Sequence, residues 1–130
     1  AGGSGLAPII SILENALAST EFQQTNRDVL LLVGGRTKKD LYYTEQIESI
    51  RSSWDGKFTF LPVLSEEPAE SSWDGLRGFV TDFLEGDEMT GSEGYFCGPP
   101  LMIEAAIEKM NALGVPKDKL FFDIFSDQSK

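Results

Sequence analysis

Apolar positions along this chain switch from helical to strand-like spacing and back several times. From Pro8 onward Ile9, Ile10, Ile12, Leu13, Ala16 and Leu17 recur three and four apart, which predicts a helix over residues 8–19. Pro8 suits its first turn, where a missing N–H is no loss. Polar residues 20–28 predict a loop. Val29-Leu30-Leu31-Leu32-Val33 is then an unbroken apolar run of strand length. A strand apolar on both faces belongs in a parallel sheet covered by helices on both sides. Gly34-Gly35-Arg36-Thr37 turns the chain out of it, and residues 41–52 are amphipathic through Ile47 and Ile50.

Residues 58–64 read as another strand, and Pro62, which lacks a ladder donor, places it at or near a sheet edge. Residues 65–75 have the composition of an exposed loop, and residues 79–84 suit a short helix. A brief strand over 95–97 is stopped by Gly98, Pro99 and Pro100. A helix follows over 101–113, with Ile103, Ala106, Ile107 and Met110 inward and Gly114 as its stop. Residues 120–125 form a last strand. Ser-Ser-Trp-Asp-Gly occurs at 52–56 and again at 71–75, too short for a repeat architecture and suited to two turns anchored by tryptophan.

Strands alternating with helices argue for an α/β fold with a doubly wound, Rossmann-like parallel sheet, as a single domain over residues 1–130. Gly2 opens a strand-to-helix turn with only Ala1 before it. The expectation is therefore that the first central strand is missing and that the chain is a piece of a longer protein.

Composition narrows the chemistry. The chain has 130 residues, 41% hydrophobic and 25% charged, with no apolar run of bilayer-spanning length. The net charge of −10 is uneven: residues 1–65 carry 6 Lys/Arg against 7 Asp/Glu, and residues 66–130 carry 5 against 14. Such a surface repels a phosphate backbone, which argues against nucleic-acid binding. The absence of histidine excludes a Ser-His-Asp triad, a Cys-His pair and a histidine-ligated zinc site. A single cysteine forms no internal disulfide, consistent with a cytoplasmic setting, and builds no iron–sulfur centre by itself.

Two glycine turns carry the candidate chemistry. Gly2-Gly3-Ser4-Gly5-Leu6-Ala7-Pro8 leads into the first helix, where small residues let backbone N–H groups approach an anion. It departs from the usual dinucleotide fingerprint, because Pro8 stands at the third glycine position and no acid ends the next strand. A tight connection and a phosphate cradle fit it equally. Cys97 ends a strand at the edge where open α/β sheets bind ligands, beside the rigid Gly98-Pro99-Pro100 turn. It suits either a small buried hydrophobe or a polarisable group packed against a flat ring, rather than a nucleophile.

These turns, with Gly34-Gly35-Arg36 before Asp40-Leu41-Tyr42-Tyr43, Leu64-Ser65-Glu66, Trp73 with Gly75 and Gly78, and the terminal Phe121-Phe122-Asp123-Ile124-Phe125, lie in register over essentially the whole chain. The pattern resembles the pyridine-nucleotide domain of the ferredoxin–NADP reductase superfamily, above all oxygenase reductase components and the NADH-dependent flavin and iron–sulfur subunit of the sodium-translocating NADH:quinone reductase. The resemblance implies that the backbone at Gly3, Ser4 and Gly5, with Pro8 behind it, holds a pyrophosphate. Cys97, Gly98 and Pro99 would face the nicotinamide, and Arg36 with Ser65 and Glu66 would flank the adenosine half. Phe125 would stack near a flavin or serve as a core residue of the last strand. It further implies an FAD-binding barrel and a [2Fe–2S] domain outside this chain, hydride transfer from NADH to FAD, and onward electron transfer to an iron–sulfur centre. The acceptor would be an oxygenase or, in a quinone reductase, a quinone; that second setting would put the protein at the cytoplasmic face of a membrane. Glu66 and Glu67 favour NADH, since their charges repel a 2′-phosphate and accept from a free ribose hydroxyl. Arg36, Lys38 and Lys39 pull toward NADPH. The alternative is a noncatalytic nucleotide-binding or docking module with the acidic second half as its surface.

Overall fold

The computed structural model describes residues 1–2, 5–23, 27–84 and 91–124, without the side chains of residues 22, 23 and 124. The elements run α1 (Leu6–Ala18), α2 (Thr20–Gln23), β1 (Val29–Gly35), α3 (Thr44–Ser53), β2 (Phe58–Leu64), β3 (Leu76–Arg77), β4 (Gly94–Gly98), α4 (Pro100–Ala112) and β5 (Leu120–Ile124). Among the described residues, 3₁₀ turns punctuate them at Lys38–Asp40, Val80–Phe83 and Lys117–Lys119.

All paired strands are parallel, in the order β1-β2-β3 and, separately, β4-β5. The period of two along β1 sends Leu31 and Val33 to one face and Leu32 to the other. Leu31 and Val33 pack with Leu6, Ile9, Ile10 and Leu13 of α1 and with Ile47 and Ile50 of α3. Leu32 packs with Val63, Val80 and Phe96 and with Ile103, Ala106 and Met110 of α4. Two apolar layers thus flank the sheets, as a doubly wound fold requires. Ile47, Val63, Ile103 and Val115 are wholly buried, and each such side chain contributes about 1.5–3 kcal/mol.

The two sheets meet at one point. Gly2 bridges to Gly34 in parallel register, Gly34 N–H donates to the Ala1 carbonyl at 2.8 Å, and Gly2 N–H donates to the Cys97 carbonyl at 3.0 Å. At that level β1 and β4 stand one strand apart. Away from it the interval continues as a slot of about 750 Å³, with Leu30, Leu31 and Leu32 on one wall and Gly94, Tyr95 and Phe96 on the other. Ile12, 39% exposed despite its helical spacing with the core residues, lines this slot.

Several local expectations change. The segment 20–28 begins with the short helix α2 rather than loop, entered through Ser19 in extended conformation and with Glu21 at its positive end. Within residues 79–84 only Val80–Phe83 turn, as a 3₁₀ helix, fixed by the Asp82 carboxylate accepting from Phe79 N–H at 2.9 Å. β2 is flanked on both sides, yet β3 pairs only with Val63 and Leu64, so Pro62 keeps an open side as its missing N–H demands. The last strand is described to Ile124, and Phe125 lies outside the described residues. No helix among the described residues is long and apolar enough to cross a membrane.

Candidate functional site at the carboxyl edge

Because the strands are parallel, their carboxyl ends share one edge, and the turns leaving them collect there. Gly34 and Gly35 leave β1, Ser65 leaves β2, Gly78 leaves β3, and Gly98 with Pro99 leaves β4.

At one end of this edge the two glycine turns touch. A Cβ added to Gly5 would lie 2.3 Å from the Cys97 carbonyl oxygen and 3.0 Å from its Cβ, so only glycine allows the approach. Gly5 N–H donates to the Gly2 carbonyl at 3.0 Å, closing the first turn on itself. Gly98 has φ +154°, and a Cβ there would meet Met102 Cε at 2.8 Å and both Gly2 N and Gly2 O at 3.2 Å. Gly5, Cys97 and Gly98 are therefore brought together. Gly3 and Ser4 lie outside the described residues. Pro8 stands half-buried in the first turn of α1, and Pro99 is the exposed N-cap of α4.

Cys97 itself is 4% exposed and packs in the layer formed by α1, α3 and β1. Burial, with Asp123 adding to it, pushes its thiol up from the ordinary value, so it stays protonated at neutral pH. This is the environment of a packing group beneath a site, not of an activated nucleophile.

The helices α1 and α4 both start at this junction, at Gly5 and Pro99, and neither carries an acidic residue in its first turn. Their partial positive ends are thus uncompensated, which suits a negatively charged ligand held by backbone N–H groups.

The other end of the edge is built from the turns after β1 and β2. Ser65 N–H donates to Gly35 O at 3.0 Å and Glu66 N–H to Arg36 O at 2.7 Å, continuing the ladder past the strands. Arg36, Ser65 and Glu66 are therefore neighbours. Asp40 Oδ2 accepts from Arg36 N–H at 2.8 Å and Thr37 N–H at 3.1 Å. Those two backbone donors, Thr37 foremost, hold its carboxyl below the usual range. Just after the turn, Tyr43 has φ +61°, a left-handed conformation costing a bulky residue about 1 kcal/mol, where α3 begins.

The sequence named Gly2, Asp40 and Glu67 without the contacts they make at this edge, and gave Met102 no part in it. Gly2 links both sheets, Met102 sits under Gly2 and Gly98, Asp40 braces the turn after β1, and Glu67 reaches Lys38. Met102 follows Cys97 by five positions and reads as an ordinary helix residue. Asp40, four residues beyond Arg36, carried a legible turn signal.

Residues 1–108 match the family described as oxidoreductase NAD-binding domain. The chain is 45% identical over 127 residues to the electron transfer component of xylene/toluene monooxygenase from Pseudomonas putida, covering 96% of this chain and 35% of that protein. It is 30% identical over 130 residues to a subunit of the Na⁺-translocating NADH-quinone reductase of Mannheimia succiniciproducens, covering 95% and 31%. Among solved structures, the Amycolatopsis cytochrome P450 reductase aligns with TM-score 0.78 at 34% identity, covering 98% of this chain and 37% of that one. The chain spans about a third of the length of these relatives.

Proposed function

The chain belongs to the oxidoreductase NAD-binding domain family, of ferredoxin-reductase type, and from that premise we propose that its carboxyl edge binds NADH and presents it to a flavin. The observation that carries this reading is the close junction of Gly5 with Cys97, where any Cβ would collide with the Cys97 carbonyl and which sets two acid-free helix N-termini side by side. The residues present fit a dinucleotide. The backbone at Gly3, Ser4 and Gly5, backed by Pro8, would hold the pyrophosphate. Cys97, Gly98 and Pro99 would lie beside the nicotinamide, with Cys97 as a packing group. Arg36, Ser65 and Glu66 would take the adenosine half.

When bound, NADH supplies the hydride, and this chain's residues contribute binding and orientation. The protonated Cys97 thiol exchanges no proton in this scheme. Gly98, at φ +154°, lets the chain turn against Gly2 and Met102 where a side chain would not fit, and the helix ends would offset the pyrophosphate charge.

The accepting FAD would be bound mainly by a domain outside this chain, with Phe125 beside it, and a [2Fe–2S] centre would lie elsewhere in the full protein. The slot between β1 and β4 supports the companion proposal that one more parallel strand, contributed from outside this chain, completes the sheet. Likeness to a monooxygenase electron transfer component supports an oxygenase as electron acceptor, and likeness to a quinone reductase supports a quinone as the second reading. The test is anaerobic rapid mixing of the flavin-loaded full-length protein with NADH and with 4-deuterated NADH. Flavin bleaching with a primary isotope effect is expected. Binding of NADH without bleaching would instead make this a docking module.

A further inference from the structure

Resting on that reading, we propose that Glu67 sets the preference for NADH over NADPH by holding Lys38 in an ion pair, so that this cation is withheld from a 2′-phosphate. In the sequence Arg36, Lys38 and Lys39 crowd the turn after β1, at the end of the edge given to the adenosine, and three cations there would by themselves attract a phosphate.

Lys38 is tied down at two points. Its backbone N–H donates to Glu67 Oε1 at 2.9 Å, its ammonium lies 3.9 Å from Glu67 Oε2, and the same ammonium donates to Ser72 Oγ at 3.2 Å. The Glu67 side chain is only 6% exposed, held over the Lys38 turn by these contacts. The hydrogen bond from Lys38 N–H, with Ser71 and the nearby cations adding to it, keeps the Glu67 carboxyl ionised below the usual range.

The loop that carries Glu67 is itself braced. The Arg77 guanidinium donates to Glu67 O at 2.7 Å, Pro68 O at 3.3 Å and Trp73 O at 3.1 Å, and Trp73 Nε1 donates to Leu76 O at 3.0 Å. Arg77 is thereby spent on the loop backbone. A 2′-phosphate, with close to two negative charges, would meet an immobile carboxylate and an already paired ammonium. A ribose hydroxyl carries no such penalty. Glu66, which the sequence singles out, sits exposed on the strand-like lip; Glu67 is the acid that governs a cation.

The test is titration of the full chain with NADH and with NADPH, comparing Kd values in Glu67→Gln, Glu67→Asp and Glu67→Gln/Lys38→Met. Glutamine keeps an acceptor for Lys38 N–H and so keeps the loop, while releasing the ammonium. The expected result is a shift of the Kd ratio toward NADPH by about fivefold in Glu67→Gln, little shift in Glu67→Asp, and loss of the gain in the double variant. An unmoved ratio in Glu67→Gln, an equal weakening of both dinucleotides, or a gain that persists without Lys38 would each overturn the proposal. Wild-type chain that binds neither dinucleotide would instead overturn the nucleotide-binding reading beneath it.

Discussion

Gly2 donates its backbone N–H to the carbonyl oxygen of Cys97 at 3.0 Å, and this bond joins the turn before α1 to the turn before α4. The partial positive ends of two helices are set side by side as a result, with no acidic residue in either first turn. Everything proposed for the nicotinamide and pyrophosphate depends on that junction staying tight.

Gly5→Ala tests it sterically. The new methyl would fall 2.3 Å from the Cys97 oxygen and 2.5 Å from its carbonyl carbon, both backbone atoms that have no rotamer to yield. The expected cost is about 1–3 kcal/mol of stability, with NADH affinity falling as the turns part. Thermal unfolding and an NADH titration measure the two effects; a variant with wild-type melting and affinity would mean the turns separate freely.

Cys97 is expected to act through packing. Cys97→Ala should slow flavin reduction in the full-length protein more than it weakens NADH binding, by removing a polarisable contact and loosening the position of the ring. Its thiol, raised by burial and by Asp123, should also react slowly with iodoacetamide at neutral pH. A pure affinity loss in single-turnover kinetics would reassign Cys97 to binding.

Asp40 gives an acid-dependent prediction. Backbone donors on Thr37 and Arg36 depress its folded pKa below the ordinary 3.8, so the carboxylate stabilises the fold above that value. That contribution is lost as pH falls through the depressed folded value. Asp40→Asn should flatten this part of the acid limb in melting temperatures recorded from about pH 7 to about pH 3, with Glu67 supplying a similar slope. An acid limb identical to wild type would remove Asp40 from the account.

Glu66→Arg should move preference toward NADPH, since an arginine at the lip beside Arg36 offers a bidentate partner to a 2′-phosphate. The expected change is about tenfold in the ratio of catalytic efficiencies for the two cofactors, measured in the full-length protein. An unchanged ratio would place the adenosine ribose away from Glu66.

The apolar run of β1 and the spacing of α1 and α4 made the fold class legible, because burial on both faces of a parallel strand leaves a continuous apolar stretch at residues 29–33. The two glycine turns were legible as turns, and Arg36, Ser65 and Glu66 were legible as neighbours through family likeness. What the sequence concealed was contact between distant backbone atoms. Nothing in the pattern near Gly2 says that its N–H reaches Cys97, ninety-five positions away. Nor does the pair Glu66-Glu67 reveal which acid turns toward Lys38, since both are polar in a loop and only the bracing by Arg77 decides it. Pro62 was read as marking a strand at or near a sheet edge, and β2 lies one strand in from it, with the two-residue β3 stopping beside Val63.

The most direct test of a dinucleotide site along the carboxyl edge is a map of backbone amide shifts in the full chain titrated with NAD⁺. The amides of Gly2, Gly5 and Gly98 are expected to shift together with those of Arg36, Ser65 and Glu66, in one saturable process. Shifts confined to other faces, or none at saturating NAD⁺, would contradict it.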